Sequence, residues 1–326
     1  MRVCLGLDTS NYTTSVAVFD GVWGENAGRL LDVPAGALGL RQNDALFQHV
    51  RRLPGLIHQL AERGLLDEVF AVGASTRPRA VEGSYMPCFL AGEGQGRGMA
   101  DVLGVPFVEV SHQQGHLAAA AWSAGHMELL DRPFLAWHLS GGTTELLRVS
   151  AEGADLRAER IGGTTDISAG QLIDRTGGLL GLTFPAGKAL DGLAGQERGG
   201  GKYFPVKLRG LDFSLSGVEN QIKALAERGE AAETIAFFAV ETVAQTVCRV
   251  TAEAQERFPG LPVLCSGGVA SNSRLRRVLT DRCGAFFAQP CYSTDNAMGV
   301  AILTYRSKGG EGSGSPGADL HGLSGQ

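Results

Sequence analysis

Two histidines four residues apart stand in the run Val110-Ser111-His112-Gln113-Gln114-Gly115-His116-Leu117. On a helix, positions i and i+4 share a face, about 5–6 Å apart, so His112 and His116 can both reach one metal ion. A helix start that merely carries two histidines fits the spacing equally well. Further polar residues gather where turns interrupt apolar strands. Asp8-Thr9-Ser10-Asn11 tips a hairpin between residues 3–7 and 14–19, and an acid beside hydroxyls suits a phosphate or its metal. Ser140-Gly141-Gly142 tips a second hairpin within residues 133–149, where backbone N–H groups unshielded by a Cβ can close on an anion. Asp174 and Asp191 flank the loop Pro185-Ala186-Gly187 and suit ribose hydroxyls, or the solvated faces of two helices. Residues 261–273 read as a strand, a Gly267-Gly268 turn and a helix capped by Ser271 or Asn272, which brings a helix N-terminus to a phosphate or base.

The elements around these residues alternate. Residues 22–40 read as irregular and Gly-rich, and 43–63 as helix continuing past Pro54. A strand at 69–73, a helix at 86–103 and a strand at 106–110 deliver the chain to His112. The hairpin at 133–149 echoes the first, which implies two related halves. Helices follow at 166–182 and, longest of all, at 231–258, with Ile235, Phe238, Val240, Val243 and Val247 buried by their period. Residues 293–305 open an apolar helix, and from 307 the Gly/Ser-rich composition predicts disorder.

Composition bounds the function. Hydrophobic residues make up 44% of 326 and charged residues 19%, enough for a sizeable core. A net charge of −5 excludes a generally basic nucleic-acid surface, though not a local patch at Arg51/Arg52, Arg77/Arg79 or Arg274/Arg276/Arg277. The six cysteines are scattered without a Cys-x-x-Cys pair, as buried thiols in a reducing compartment would be. No signal peptide is read at the start and no apolar run is read as spanning a membrane, so the expectation is a cytoplasmic protein.

Taken together, the motifs resemble the TsaD/Kae/Gcp family, the catalytic subunit of tRNA threonylcarbamoyladenosine synthesis. The resemblance spans residues 1–306. It rests on Asp8-Thr9-Ser10, His112-x-x-x-His116, Ser140-Gly141-Gly142, Asp174, Pro185-Ala186-Gly187 with Asp191, Leu211-Asp212-Phe213-Ser214, Gly267-Gly268-Val269 with Asn272, and Thr294-Asp295-Asn296, in that order. It implies an α/β, actin-like, duplicated fold: one lobe over 1–130 with 293–306 returning to it, a second over 131–292, and a nucleotide cleft between them. It implies that His112, His116 and Asp295 hold one divalent metal ion, iron or zinc. Residues His138, Leu139, Ser140, Gly141 and Gly142 would approach the phosphate and acyl part of threonylcarbamoyl-adenylate. Asp174, Gly187, Asp191 and Asn272 would grip its adenosine, as they would an ATP-type ligand. The implied reaction is threonylcarbamoyl transfer to N6 of the adenosine 3′ of a tRNA anticodon, with TsaB-like and TsaE-like partner subunits.

The chain also departs from the family pattern. Asn11-Tyr12 stand where an acidic pair is usual, and Thr143 follows the double glycine in place of His or Asn. Arg175 replaces a Lys, and the loop Arg77-Pro78-Arg79-Ala80-Val81-Glu82-Gly83-Ser84 replaces Gly-Pro-Gly-Leu. These departures open a second reading, a metal- and nucleotide-binding paralogue with reduced or altered transferase activity that acts through partners. A metallopeptidase of the His-Glu-x-x-His type is disfavoured, because Gln113 cannot serve as general base. A sugar kinase on the same fold lacks a clear catalytic Asp.

Overall fold

β-Branched and apolar residues build two sheets on one plan. The computed structural model describes residues 2–10, 12–33, 40–197 and 201–308. In the first half, β1 (Val3–Thr9), β2 (Thr13–Phe19) and β3 (Gly24–Leu30) form an antiparallel meander. Then come α1 (Gln42–Ala61), β4 (Val69–Arg77), α2 (Leu90–Leu103), β5 (Phe107–Ser111) and α3 (His112–Ser123). The second half opens with another meander, β6 (Phe134–Leu139), β7 (Thr144–Glu152) and β8 (Asp155–Thr164). It continues through α4 (Ala169–Leu179), α5 (Gly187–Ala194), β9 (Leu208–Arg209), β10 (Asp212–Phe213), α6 (Ser216–Glu227) and α7 (Ala232–Arg257). β11 (Val263–Ser266), α8 (Ser273–Cys283) and β12 (Phe286–Phe287) complete it, and α9 (Met298–Lys308) follows.

The sheet orders are β3-β2-β1-β4-β5 and β12-β11-β6-β7-β8-β10-β9. Read from β8, the second sheet repeats the first as β8-β7-β6-β11-β12. Strand senses repeat too: β1/β2 and β6/β7 are antiparallel, β1/β4 and β6/β11 parallel. The pairs Thr9↔Thr14 and Leu139↔Thr144 close the two hairpins, so Ser10 matches Ser140, and Asp8 matches His138. Both lie at the carboxyl ends of central strands, where open α/β sheets bind ligands.

Several expectations are corrected. Residues 24–30 are strand β3, an edge whose sequence Gly-Glu-Asn-Ala-Gly-Arg-Leu carries no apolar alternation to announce it. β8 and α6 also lay outside the sequence reading. The strand expected at 69–73 runs on to Arg77. Ser307 and Lys308 extend α9, while the rest of the tail expected to be disordered, like Asn11, lies outside the described residues. One segment does have the length and apolarity of a membrane span: α7. Its best window is 72% buried inside the fold, where it forms the core of the second half. Trp137 of β6 packs there, its indole N–H donating to the Thr251 hydroxyl at 2.9 Å.

α9 returns to the first half and packs on β1, β2, β4 and α3. Small residues allow the approach. A Cβ at Gly299 would overlap the Gly115 carbonyl oxygen, and one at Gly6 would press on the Ala301 backbone. This contact carries the segment before α9, with Asp295, up to the first turn of α3.

Candidate metal centre and nucleotide pocket

The start of α3 is fixed by its own sequence. Ser111 caps it, its hydroxyl accepting from Gln114 N at 3.3 Å while Gln114 Oε1 accepts from Ser111 N at 2.9 Å. His112 and His116 follow on one face with their Nε2 atoms 2.9 Å apart. Asp295 Oδ1 lies 3.4 Å from the first Nε2 and 3.3 Å from the second. Ligand bonds of about 2.0–2.1 Å at tetrahedral angles place donor atoms about 3.3 Å apart. The three atoms therefore fit one small divalent ion with positions left for substrate.

Asp8 completes this corner. Its Oδ1 lies 3.0 Å from His112 Nδ1 and accepts from the Ser75 hydroxyl, and its Oδ2 is buried with no partner among the described residues. A carboxylate on Nδ1 fixes the tautomer that turns Nε2 to a metal. Asp8 and Thr9 are fully buried, and Ser10 nearly so. Thr9 Oγ1 accepts from Gly92 N at 3.1 Å, which ties the hairpin to α2.

The charges in this corner perturb one another. Burial works against a charged His112, but Asp8 and Asp295 outweigh it and raise the ring to about 10. Burial works against a charged Asp295, and the two histidines overcome it, holding the carboxyl well below its usual range. His138, its ring centroid 5.4 Å from that of His116, is pushed the other way. Burial and the neighbouring histidines lower it to about 3, so it stays neutral.

The stretch from His138 to Gly142 contributes to the lining of two cavities. The first, about 160 Å³, is lined by His112, His116, His138, Thr143, Glu145 and Arg79 among others. The second, about 410 Å³, is lined by Gly141, Gly170, Asp174, Pro185, Gly187, Asp191, Gly268 and Asn272 among others. Of the predicted stretch, His138 faces the first and Gly141 the second. Leu139 has a fully buried side chain, and Ser140 closes the turn by accepting from Thr143 N at 3.0 Å. Gly142 is exposed.

The four predicted adenosine residues do converge, and three of them also brace the walls. Asp174 accepts from Ala186 N at 2.8 Å, just before Gly187 opens α5. Asp191 accepts from Asn272 Nδ2, Ser273 N and Ser273 Oγ, each at 2.9 Å. Asn272 caps α8 through Leu275 N at 3.0 Å.

Sequence reasoning missed Ser75, Glu145, Ser266 and Gly170 as site residues, and treated Arg79 only as a possible RNA contact. No local spacing marks them, although the hairpin echo makes Glu145 the counterpart of Ser15. The candidate basic clusters are largely engaged within the protein. Arg52 pairs with Asp32, Arg77 with Glu109, Arg79 with Glu145 and Arg274 with Glu241. Arg51 lies over Phe47 and Arg276 over Phe287, while Arg277 is exposed. Arg175 pairs with Glu219 at 2.7 Å.

The family model for TsaD, tRNA N6-adenosine threonylcarbamoyltransferase, matches residues 42–302. The chain belongs to the TsaD family. A protein of Granulibacter bethesdensis called tRNA N6-adenosine threonylcarbamoyltransferase is 32% identical over 331 aligned residues, covering 91% of this chain and 86% of that one. Among solved structures, full-length HypF in its phosphate- and nucleotide-bound form superposes with a TM-score of 0.62 at 15% identity, covering 96% of this chain and 47% of that longer one. The activator of 2-hydroxyisocaproyl-CoA dehydratase from Clostridium difficile, with bound ADPNP, gives 0.52 at 12% identity, covering 97% and 100%. These two likenesses show the fold alone, and it is the actin-like one. The TsaD match begins at α1, so the departing first hairpin lies outside it.

Proposed function

We propose that this enzyme transfers the threonylcarbamoyl group of threonylcarbamoyl-adenylate to N6 of the adenosine 3′ of the anticodon in tRNA. The observation that carries this reading is that one short stretch lines two cavities: His138 lines the one with His112 and His116, which group with Asp295, and Gly141 lines the other, walled by glycines. The adenosine half would sit against Asp174, Gly187, Asp191 and Asn272, with the acyl half crossing the Ser140–Gly142 turn into the first cavity. Gly141 and Gly142 leave backbone N–H groups open to negative charge. His112, His116 and Asp295 would hold one divalent ion, iron or zinc, which when bound polarises a carbonyl. Asp8 holds the His112 ring, and neutral His138 offers a hydrogen bond without a competing charge. Residues 1–130 with 293–306, and 131–292, act as the two lobes closing on the adenylate. The setting is cytoplasmic, with tRNA and TsaB-like and TsaE-like subunits as partners.

A second reading is a nucleotide- and metal-binding relative with reduced or altered transferase activity that works through partners. It is favoured by Tyr12, half-exposed where the family has an acid, and by the Arg79–Glu145 pair beside the triad. The test is single-turnover transfer of labelled threonylcarbamoyl-adenylate to unmodified tRNA in the presence of family partners. The proposed function expects label on tRNA, lost in His116→Ala. Adenylate binding without any transfer would overturn it in favour of the second reading.

A further inference from the structure

Arg79 belongs to the loop after β4 and lines the cavity that holds His112 and His116. The loop is pinned at two points. Gln113 N donates to Pro78 O at 3.0 Å, so the loop is tied to the first turn of α3, and Arg79 N donates to Ser84 Oγ at 3.0 Å. The guanidinium is held across the cavity by Glu145 of β7: Nη2 lies 3.1 Å from Oε1 and 3.0 Å from Oε2. Glu145 is 18% exposed and Arg79 48%. Only Nη2 is used in this way. Among the described residues, Nη1 and Nε of Arg79 have no hydrogen-bond partner.

A guanidinium offers five donors in a fixed plane and matches a carboxylate through two of them at once. Anchoring one nitrogen on Glu145 orients the rest, much as an outer carboxylate orients a metal-bound imidazole. The anchor also lowers the local positive charge. A ligand held here must therefore supply the matching geometry, and a free anion gains less.

We propose that Arg79 is a specificity-determining residue that reads a free carboxylate on the acyl group seated beside the histidines, with Glu145 as its positioning residue. The ligand class is an amino acid acylated on nitrogen and still carrying its carboxylate. The inference rests on the transfer reading above, because that reading seats an acyl group in this cavity. An alternative role, a strap joining the two halves, would hold the fold without discriminating among ligands.

The experiment compares three probes by calorimetry: AMP, a stable sulfamoyl analogue of threonylcarbamoyl-adenylate, and the same analogue built on 1-amino-2-propanol, which lacks the carboxylate. Wild type should prefer the carboxylate-bearing analogue by at least tenfold, about 1.4 kcal/mol. Arg79→Ala should erase that preference while AMP affinity stays within twofold. Arg79→Lys should keep a part of it, and Glu145→Ala should reduce it by freeing the guanidinium. A preference equal in wild type and Arg79→Ala overturns the proposal while AMP binding keeps the transfer reading alive. Wild type that binds none of the three probes overturns both.

Discussion

The two halves carry equivalent hairpins, and the hairpins have diverged in kind. In the first, Asp8, Thr9 and Ser10 turn inward, and Asp8 spends one oxygen on His112 and Ser75. In the second, the turn after His138 is nearly bare of side chains, and Gly141 opens onto the larger cavity. Their anchors differ as well. Thr14 holds its hairpin through the His49 ring, Oγ1 to Nδ1 at 2.8 Å, whereas Thr144 accepts from a backbone N–H, that of Ala169, at 2.8 Å. A duplicated scaffold has thus built one turn from buried polar side chains and its twin largely from bare backbone. The first can be altered by changing a functional group, the second by adding bulk.

The sharpest test of that contrast is metal content. His116→Ala should lower bound divalent metal from about one ion per chain to under a tenth by elemental analysis, since one of three protein ligands is gone. Asp8→Asn keeps the shape but not the carboxylate, and should weaken metal binding about 10–100-fold. Both variants should retain the rise in melting temperature that AMP produces. An Asp8→Asn protein that binds metal as tightly as wild type would remove the first hairpin from the chemistry.

The second test adds bulk to the twin. A Cβ at Gly141 meets no atom within 4 Å, so Gly141→Ala should change stability by less than about 0.5 kcal/mol. It should still weaken AMP about tenfold, roughly 1.4 kcal/mol, because the methyl enters the cavity. Gly170→Ala behaves oppositely. Its methyl runs into the Ser140–Gly141 backbone and should cost about 1–3 kcal/mol of folding stability by denaturant titration. Equal effects of the two variants would mean that the glycines serve one purpose.

The smallest effect separates the anchors by pH. Burial lowers the His49 ring below its ordinary 6.5, against the pull of Ser10 and Asp8. As pH falls below about 6.5, the unfolded chain takes up a proton that the folded chain refuses, so stability falls. The slope from this one group is at most about 1.4 kcal/mol per pH unit. His49→Gln should flatten the loss between about pH 7 and 5.5 in urea titrations. Parallel curves for the two proteins would show that the first anchor is as indifferent to protons as the second.

What the sequence disclosed follows from range. His112 and His116 sit one helical turn apart, so their convergence is a local matter and could be read directly. The glycine turns at Gly141 and Gly267 announce themselves for the same reason. Asp295 lies roughly 180 residues further on, and only resemblance brought it to the histidines. The Asp8–His112 link depends on β1 and β5 flanking β4 in one sheet, which no local pattern encodes. Arg79 meets Glu145 across the halves, from a loop with no periodicity. β3 was missed because an edge strand need not bury a face, and Glu25, Arg29 and Leu30 of β3 lie toward water or only partly covered.

The close crossing of α9 on α3 also sets an order of events in time. The two histidines leave the ribosome roughly 180 residues ahead of Asp295, about 10–40 s at ordinary rates of synthesis. During that interval the nascent chain carries the two imidazoles without the carboxylate that completes their cluster. The three-residue cluster is complete only when the Gly299 backbone docks on Gly115 and the Asp295 carboxylate arrives. Completion of the cluster is therefore a late act of maturation, governed by α9 rather than by the histidines.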